Sequence, residues 1–243
     1  MSRWSDVERQ VSGVLLIVFA SLLVGMVLLD LVLNFTTPGE TVHSQFVREA
    51  SLSHVMPMFL AYLVVGAAGF WGTVGLVETY GQSLRLTPEV VRLSALAYFL
   101  VSYWLWSAVM IVRHKITLLT DIPTNPPDWL LQIFDASDAL YALGGWGSFG
   151  PAIVLFVGLW WLLTRGARLL PRVAGWFFLA IAIGRFLSLV YIGVGGFQVA
   201  NIAGMNPAYV IDVLTMLAQI VGFLLAGAAV YTEKGVFVRS HRV

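Results

Sequence analysis

Few residues in this chain can do chemistry, and most of those fall where water is scarce. Arg185 lies well inside AGWFFLAIAIGRFLSLVYIGVGG, a stretch long and apolar enough to cross a bilayer. A guanidinium at that depth is expensive when it faces lipid, so it needs a partner inside the protein. Three other apolar stretches offer carboxylates: Asp212, Asp138 and Asp30. Two of them continue into polar stripes. Asp212, Thr215 and Gln219 are spaced i, i+3, i+7 and share a helix face, and Asp138, Tyr141, Gly145 and Ser148 do the same. Ser188 follows Arg185 by one turn. The spacing predicts a polar cluster in which Arg185 pairs with Asp212, Asp138 or both, with Asp30, Ser188, Thr215, Gln219 and Tyr141 nearby. Such a cluster either holds helices in register or lines a ligand or ion site, and both readings stay open at this stage.

Other chemistries find no residues. The chain has no cysteine, which excludes disulfides, thiolate metal sites and a cysteine nucleophile. Its lysines, Lys115 and Lys234, lie at the ends of apolar stretches, away from any place for a retinal Schiff base. No pair of mid-span histidines could hold a haem. HExxH, Gly-x-Ser-x-Gly and Walker A patterns are all absent, so neither metal hydrolysis nor phosphate-loop nucleotide chemistry has an anchor. A net charge of +1 gives no electrostatic case for nucleic acid. No cofactor is expected.

The elements that must carry the charged residues follow from composition. The chain is 59% hydrophobic and 11% charged, with a mean hydropathy of +0.86. A soluble domain carries about 25% charged residues, so lipid is the solvent for most of this surface. Stretches 12–35, 54–77, 90–112, 136–163, 173–195 and 208–231 are each near or above the roughly 20 residues that span a bilayer. This predicts an all-α, single-domain bundle of six transmembrane helices over residues 1–243, the first span being retained rather than cleaved as a signal peptide.

Within that frame, Thr87-Pro88-Glu89 is a helix start, and Arg113-His114-Lys115 is read as the stop of the third span, snorkelling to water. Residues 128–134 are expected to lie in the interface with Trp129 as anchor, and His54 to be interfacial as well. Gly66, Gly69, Gly72 and Gly75 suit close helix contact. Gly144, Gly145, Gly147 and Gly150-Pro151 should weaken the fourth span. Of 14 Lys and Arg, the alternation puts ten on one side, three on the other, and Arg185 within a span. The positive-inside rule then places both termini in the cytoplasm of a plasma-membrane protein. Arg185 is 13 residues beyond Arg172, or roughly 20 Å along the helix, in the outer half of the membrane.

The stretch GSFGPAIVLFVGLWWLLTRGARLLPRVAGWFFLAIAIGRFLSLVYIGVGG joins two late spans through Arg168, Leu169, Leu170, Pro171 and Arg172. Over about residues 135–231 this resembles the six-helix bacterial and archaeal membrane proteins of the DUF4386 family. The resemblance implies six spans and a prokaryotic source, and it implies no activity.

These readings lead to a non-enzymatic membrane protein, expected to serve as an accessory or structural subunit of a larger membrane complex. Its partners would be the bilayer and other membrane subunits, with no nucleic acid and no nucleotide. One alternative is a small transporter or channel with an outward-facing pocket at Arg185. Another is an intramembrane enzyme acting on a lipid or apolar substrate through an outer aspartate.

Overall fold

A computed structural model describes residues 5–33, 41–51, 55–81, 87–166, 168–193 and 207–232. Among them every regular element is a helix: α1 Asp6–Leu33, α2 Val42–Ser51, α3 Val55–Tyr80, α4 Thr87–Phe99, a π-helical stretch Leu100–Leu105, α5 Trp106–Thr117, α6 Asp128–Gly147, α7 Phe149–Thr164, α8 Leu169–Gly193 and α9 Pro207–Thr232. Helices are the natural outcome for so apolar a chain, because hydrocarbon offers no partner to an unsatisfied backbone amide. Five segments are long and apolar enough to cross a membrane: Asp6–Leu28, Phe59–Tyr80, Pro88–Thr117, Leu169–Tyr191 and Val210–Thr232. The chain is thus a multi-pass membrane protein of all-α class.

Six helices pack in a closed ring, in the order α1, α3, α4, α7, α8, α9 and back to α1. Aromatic rings fill its centre. Phe19 of α1 meets Phe99 at 5.6 Å and Phe223 at 4.9 Å between centroids, both edge to face. Phe178 meets Phe223 at 5.0 Å in the same manner. The ring closes tightly because α1 and α9 touch through glycine. A Cβ on Gly13 would stand 2.8 Å from the carbonyl oxygen of Gly227, and one on Gly227 would stand 2.8 Å from that of Gly13. The expected close contact at Gly72 is also present, against the side chain of Leu16 of α1.

The stretches expected as the third and fourth spans differ from the sequence reading. The helical rod Pro88–Thr117 has 30 residues, about 45 Å at the α-helical rise, against a hydrocarbon core of about 30 Å. It runs straight through the expected stop. Arg113 and His114 are buried, and Lys115 alone of the three basic residues is exposed. The stretch expected as a fourth span over 136–163 is helical from Asp128 and is broken at Ser148 into α6 and α7. Its first turns are therefore part of α6 and not a separate interfacial helix. Glycines on both sides and Pro151, which has no amide hydrogen, weaken the helix there. Pro151 is tolerated because it stands in the first turn of α7, where amides lack intrahelical acceptors. The two halves then pack on different parts of the rod, α7 on α4 and α6 on α5.

Outside the ring, α2, the end of α5 and the start of α6 build a second core around Phe46, Ile116, Leu130 and Phe134. α2 falls in what the sequence reading took for a plain polar connection.

Candidate functional site

Two polar centres emerge. The first contains the residues singled out by spacing. Arg185 Nη1 donates to Asp212 Oδ1 at 3.1 Å, joining α8 to α9. The Arg185 guanidinium carbon also lies 5.4 Å from the ring centroid of Phe149, at the start of α7. This pair sits on the rim of the bundle, its side chains 18% and 52% exposed for arginine and aspartate. Ser188 is buried one turn further along α8. The two helices can approach here because Gly184 faces Thr215, leaving no room for a Cβ. Thr215 is buried, and its hydroxyl donates to its own helix at Ile211 O, 2.7 Å away.

One turn deeper, Gln219 reaches the middle of the ring. Its Nε2 donates to the hydroxyls of Tyr98 and Tyr103, each at 3.2 Å. These tyrosines are five residues apart, which is about 140° around an ordinary α-helix. The π-helical stretch Leu100–Leu105 lies between them and carries Tyr103. Its wider turn, with i to i+5 pairing, brings both hydroxyls to the same amide. The α9 stripe therefore runs from a half-exposed carboxylate to a buried amide held between two phenols.

The second centre was not expected. Arg113 of α5 meets Glu49 of α2 through both arms of its fork, Nη2 to Oε1 at 3.0 Å and Nε to Oε2 at 3.2 Å. Nη2 also donates to Gln45 Oε1 at 3.3 Å. The guanidinium carbon lies 4.1 Å from the Phe134 ring centroid of α6. Both charged side chains are 5% exposed. This bidentate geometry with a ring face beneath is the arrangement that suits a guanidinium away from water. The signal in the sequence was the i, i+4, i+7 spacing of Val42, Phe46 and Glu49, one face of a short helix inside a segment polar enough to pass for a loop.

The remaining sequence-derived residues are not joined to either centre. Asp30 belongs to α1, and Asp138 and Tyr141 to α6, but their side chains lie outside the described residues, as does His54. Among the described residues, no group of three or more His, Asp or Glu gathers as a metal site would require. A cleft of about 270 Å³ opens elsewhere, between α1 and α3, lined by Val7, Glu8, Val11, Ser12, Leu15 and Trp71. Chemically, the first centre can hold helices together and offer one half-exposed carboxylate, and the second can fasten a short helix to the bundle. No protein-family model, no curated protein and no solved structure matches the chain.

Proposed function

We propose that this chain is a six-span protein of the plasma membrane, with both termini in the cytoplasm, serving as an accessory or structural subunit of a larger membrane complex. Besides the five membrane-length segments, this reading counts the broken path α6–α7 as a crossing, fourth in chain order, which follows the long rod α4–α5 in the opposite direction. The observation that carries the functional reading is the filled axis of the ring. Phe19, Phe99, Phe156, Phe178 and Phe223 occupy it in mutual contact. Gln219 spends its amide donors on Tyr98 and Tyr103 rather than on a guest. A second feature agrees with a partner. The rod overhangs the hydrocarbon thickness, and beyond its end Leu118, Leu119 and Ile122 are exposed. Apolar residues gathered past the membrane-length part of a helix suit a protein neighbour better than water.

Gentle solubilisation and affinity purification of the full chain test this. A defined membrane protein should copurify in fixed ratio, and Leu118→Ser with Ile122→Ser should release it. A clean, stable monomer with no companion would sink the subunit reading.

One observation favours a transporter or channel instead: Asp212 is half-exposed at the head of a polar stripe that leads inward. In that reading Arg185→Gln abolishes a transport or binding signal while the protein stays folded. In the subunit reading it changes stability alone.

A further inference from the structure

The ring has one end where charge is treated unevenly. Around α1, α3 and α4 the described carboxylates have partners. Asp6 pairs with Arg9 at 2.7 Å, Glu8 accepts from Ser5, and Glu78 and Glu89 both pair with Arg92. The neighbouring α7–α8 turn is different. The sequence contains no aspartate or glutamate between Asp138 and Asp212, yet Arg165 and Arg172 both stand at this turn.

Both arginines are held by groups that leave most of their N–H donors unused. Arg165 sits over the Trp161 ring, its guanidinium carbon 3.9 Å from the centroid. Contact with a ring face takes up none of its N–H donors. Arg172 Nη2 donates to the carbonyl of Gly166 at 3.1 Å, which uses one of five. Both arginines are exposed. Beneath them lies a tryptophan cluster across the two helices, with Trp160 5.9 Å from Trp176 and 6.1 Å from Trp161 between centroids. Trp161 and Trp176 face outward, as does Leu169, which is 76% exposed.

Arg165 over an outward-facing indole, and Arg172 beside it without a carboxylate, at the turn that joins α7 to the membrane-length α8, match one chemistry. The indoles belong at the headgroup level of a bilayer, and the charges beside them belong opposite phosphate. We infer that the α7–α8 turn is a binding site for an anionic phospholipid headgroup. Arg165 and Arg172 donate to its phosphate, and Trp161, Trp176 and Leu169 lie along its glycerol and upper acyl region. A soluble anion would gain nothing from the exposed tryptophans and leucine, and that commits the site to lipid. The assignment is independent of whether the chain serves a larger complex.

The test uses the full-length protein in phosphatidylcholine nanodiscs containing either brominated phosphatidylglycerol or brominated phosphatidylcholine. Bromine quenches indole fluorescence on contact. The wild type should be quenched at several-fold lower mole fraction by the phosphatidylglycerol. Arg165→Gln with Arg172→Gln should abolish that preference, since each basic side chain near an anionic surface contributes on the order of 1 kcal/mol. Lys115→Gln, on an exposed lysine at the far end of the rod, should keep it. Equal quenching by the two lipids, or a preference that survives the double substitution, overturns the assignment. Should the double variant fail to fold, the wild type still decides. The preference must fall as sodium chloride is raised, and a salt-insensitive preference overturns it. Inorganic phosphate that abolishes the preference at matched ionic strength would reveal a free-anion site and overturn the lipid assignment too.

Discussion

Two of the arginine–carboxylate pairs that fasten this protein, one between ring helices and one beside the ring, are built differently. Arg185 and Asp212 join two long neighbours that already touch along their length, through one hydrogen bond of 3.1 Å at a half-exposed rim. Arg113 and Glu49 join a ten-residue helix to the end of a 30-residue rod, through two hydrogen bonds, a glutamine and a ring face, nearly out of contact with solvent. The long helices hold each other by packing, so their charge pair adds little. The short helix has little apolar surface of its own beyond Phe46 and Val42, so its charge pair is a large share of its attachment. An arginine in the middle of an apolar stretch draws the eye, yet the arginine at the end of one is the more deeply committed.

Substitution of Glu49 by Ala leaves the Arg113 charge buried without its fork partner. The expected cost is about 3–5 kcal/mol, and α2 should detach. Thermal unfolding in detergent and amide hydrogen exchange over 42–51 measure both effects; protection in α2 equal to the wild type would break the contrast. Gln219→Leu comes next. It leaves two buried tyrosine hydroxyls without their donor, at about 1–3 kcal/mol, and Tyr98→Phe with Tyr103→Phe in the same chain should recover most of the loss.

At the rim, Arg185→Gln should cost about 1 kcal/mol or less, as half-exposed pairs do. The exchange Arg185→Asp with Asp212→Arg should return close to wild-type stability. A loss above that of Glu49→Ala would invert the ranking. The smallest effect concerns salt. Raising ionic strength should trim the contribution of Arg185–Asp212 and leave that of Arg113–Glu49 nearly unchanged, because ions screen only the pair they can approach. A double-mutant cycle for each pair at low and high salt reads the difference.

Much of this was legible before the fold. Length and apolarity led to six expected spans, and five segments of the described structure are membrane-length. The α9 stripe follows from periodicity, because residues at i, i+3 and i+7 share a face whatever surrounds them. The partner of Arg185 was narrowed to Asp212 or Asp138, and the described contact is with Asp212. Three features were hidden for physical reasons. α2 is too short and too polar to be stable alone, and it is helical where α5 and α6 give its Phe46 and Glu49 somewhere to go. The π-helical stretch leaves no mark in the order of residues, since Tyr98 and Tyr103 are on different faces until the extra width of that turn turns them together. Arg113-His114-Lys115 looks the same in sequence whether the next turn meets water or protein.

The chain's composition was enough to determine its solvent, and its periodicity was enough to determine which polar residues travel together on one helix. Both depend on spacing along a single element. Which arginine became buried, which carboxylate met it, and where a long apolar run broke in two were decided by tertiary structure. Those pairings depend on neighbours that the chain brings from 27 and 64 residues away, and no local pattern can say which surface will be there.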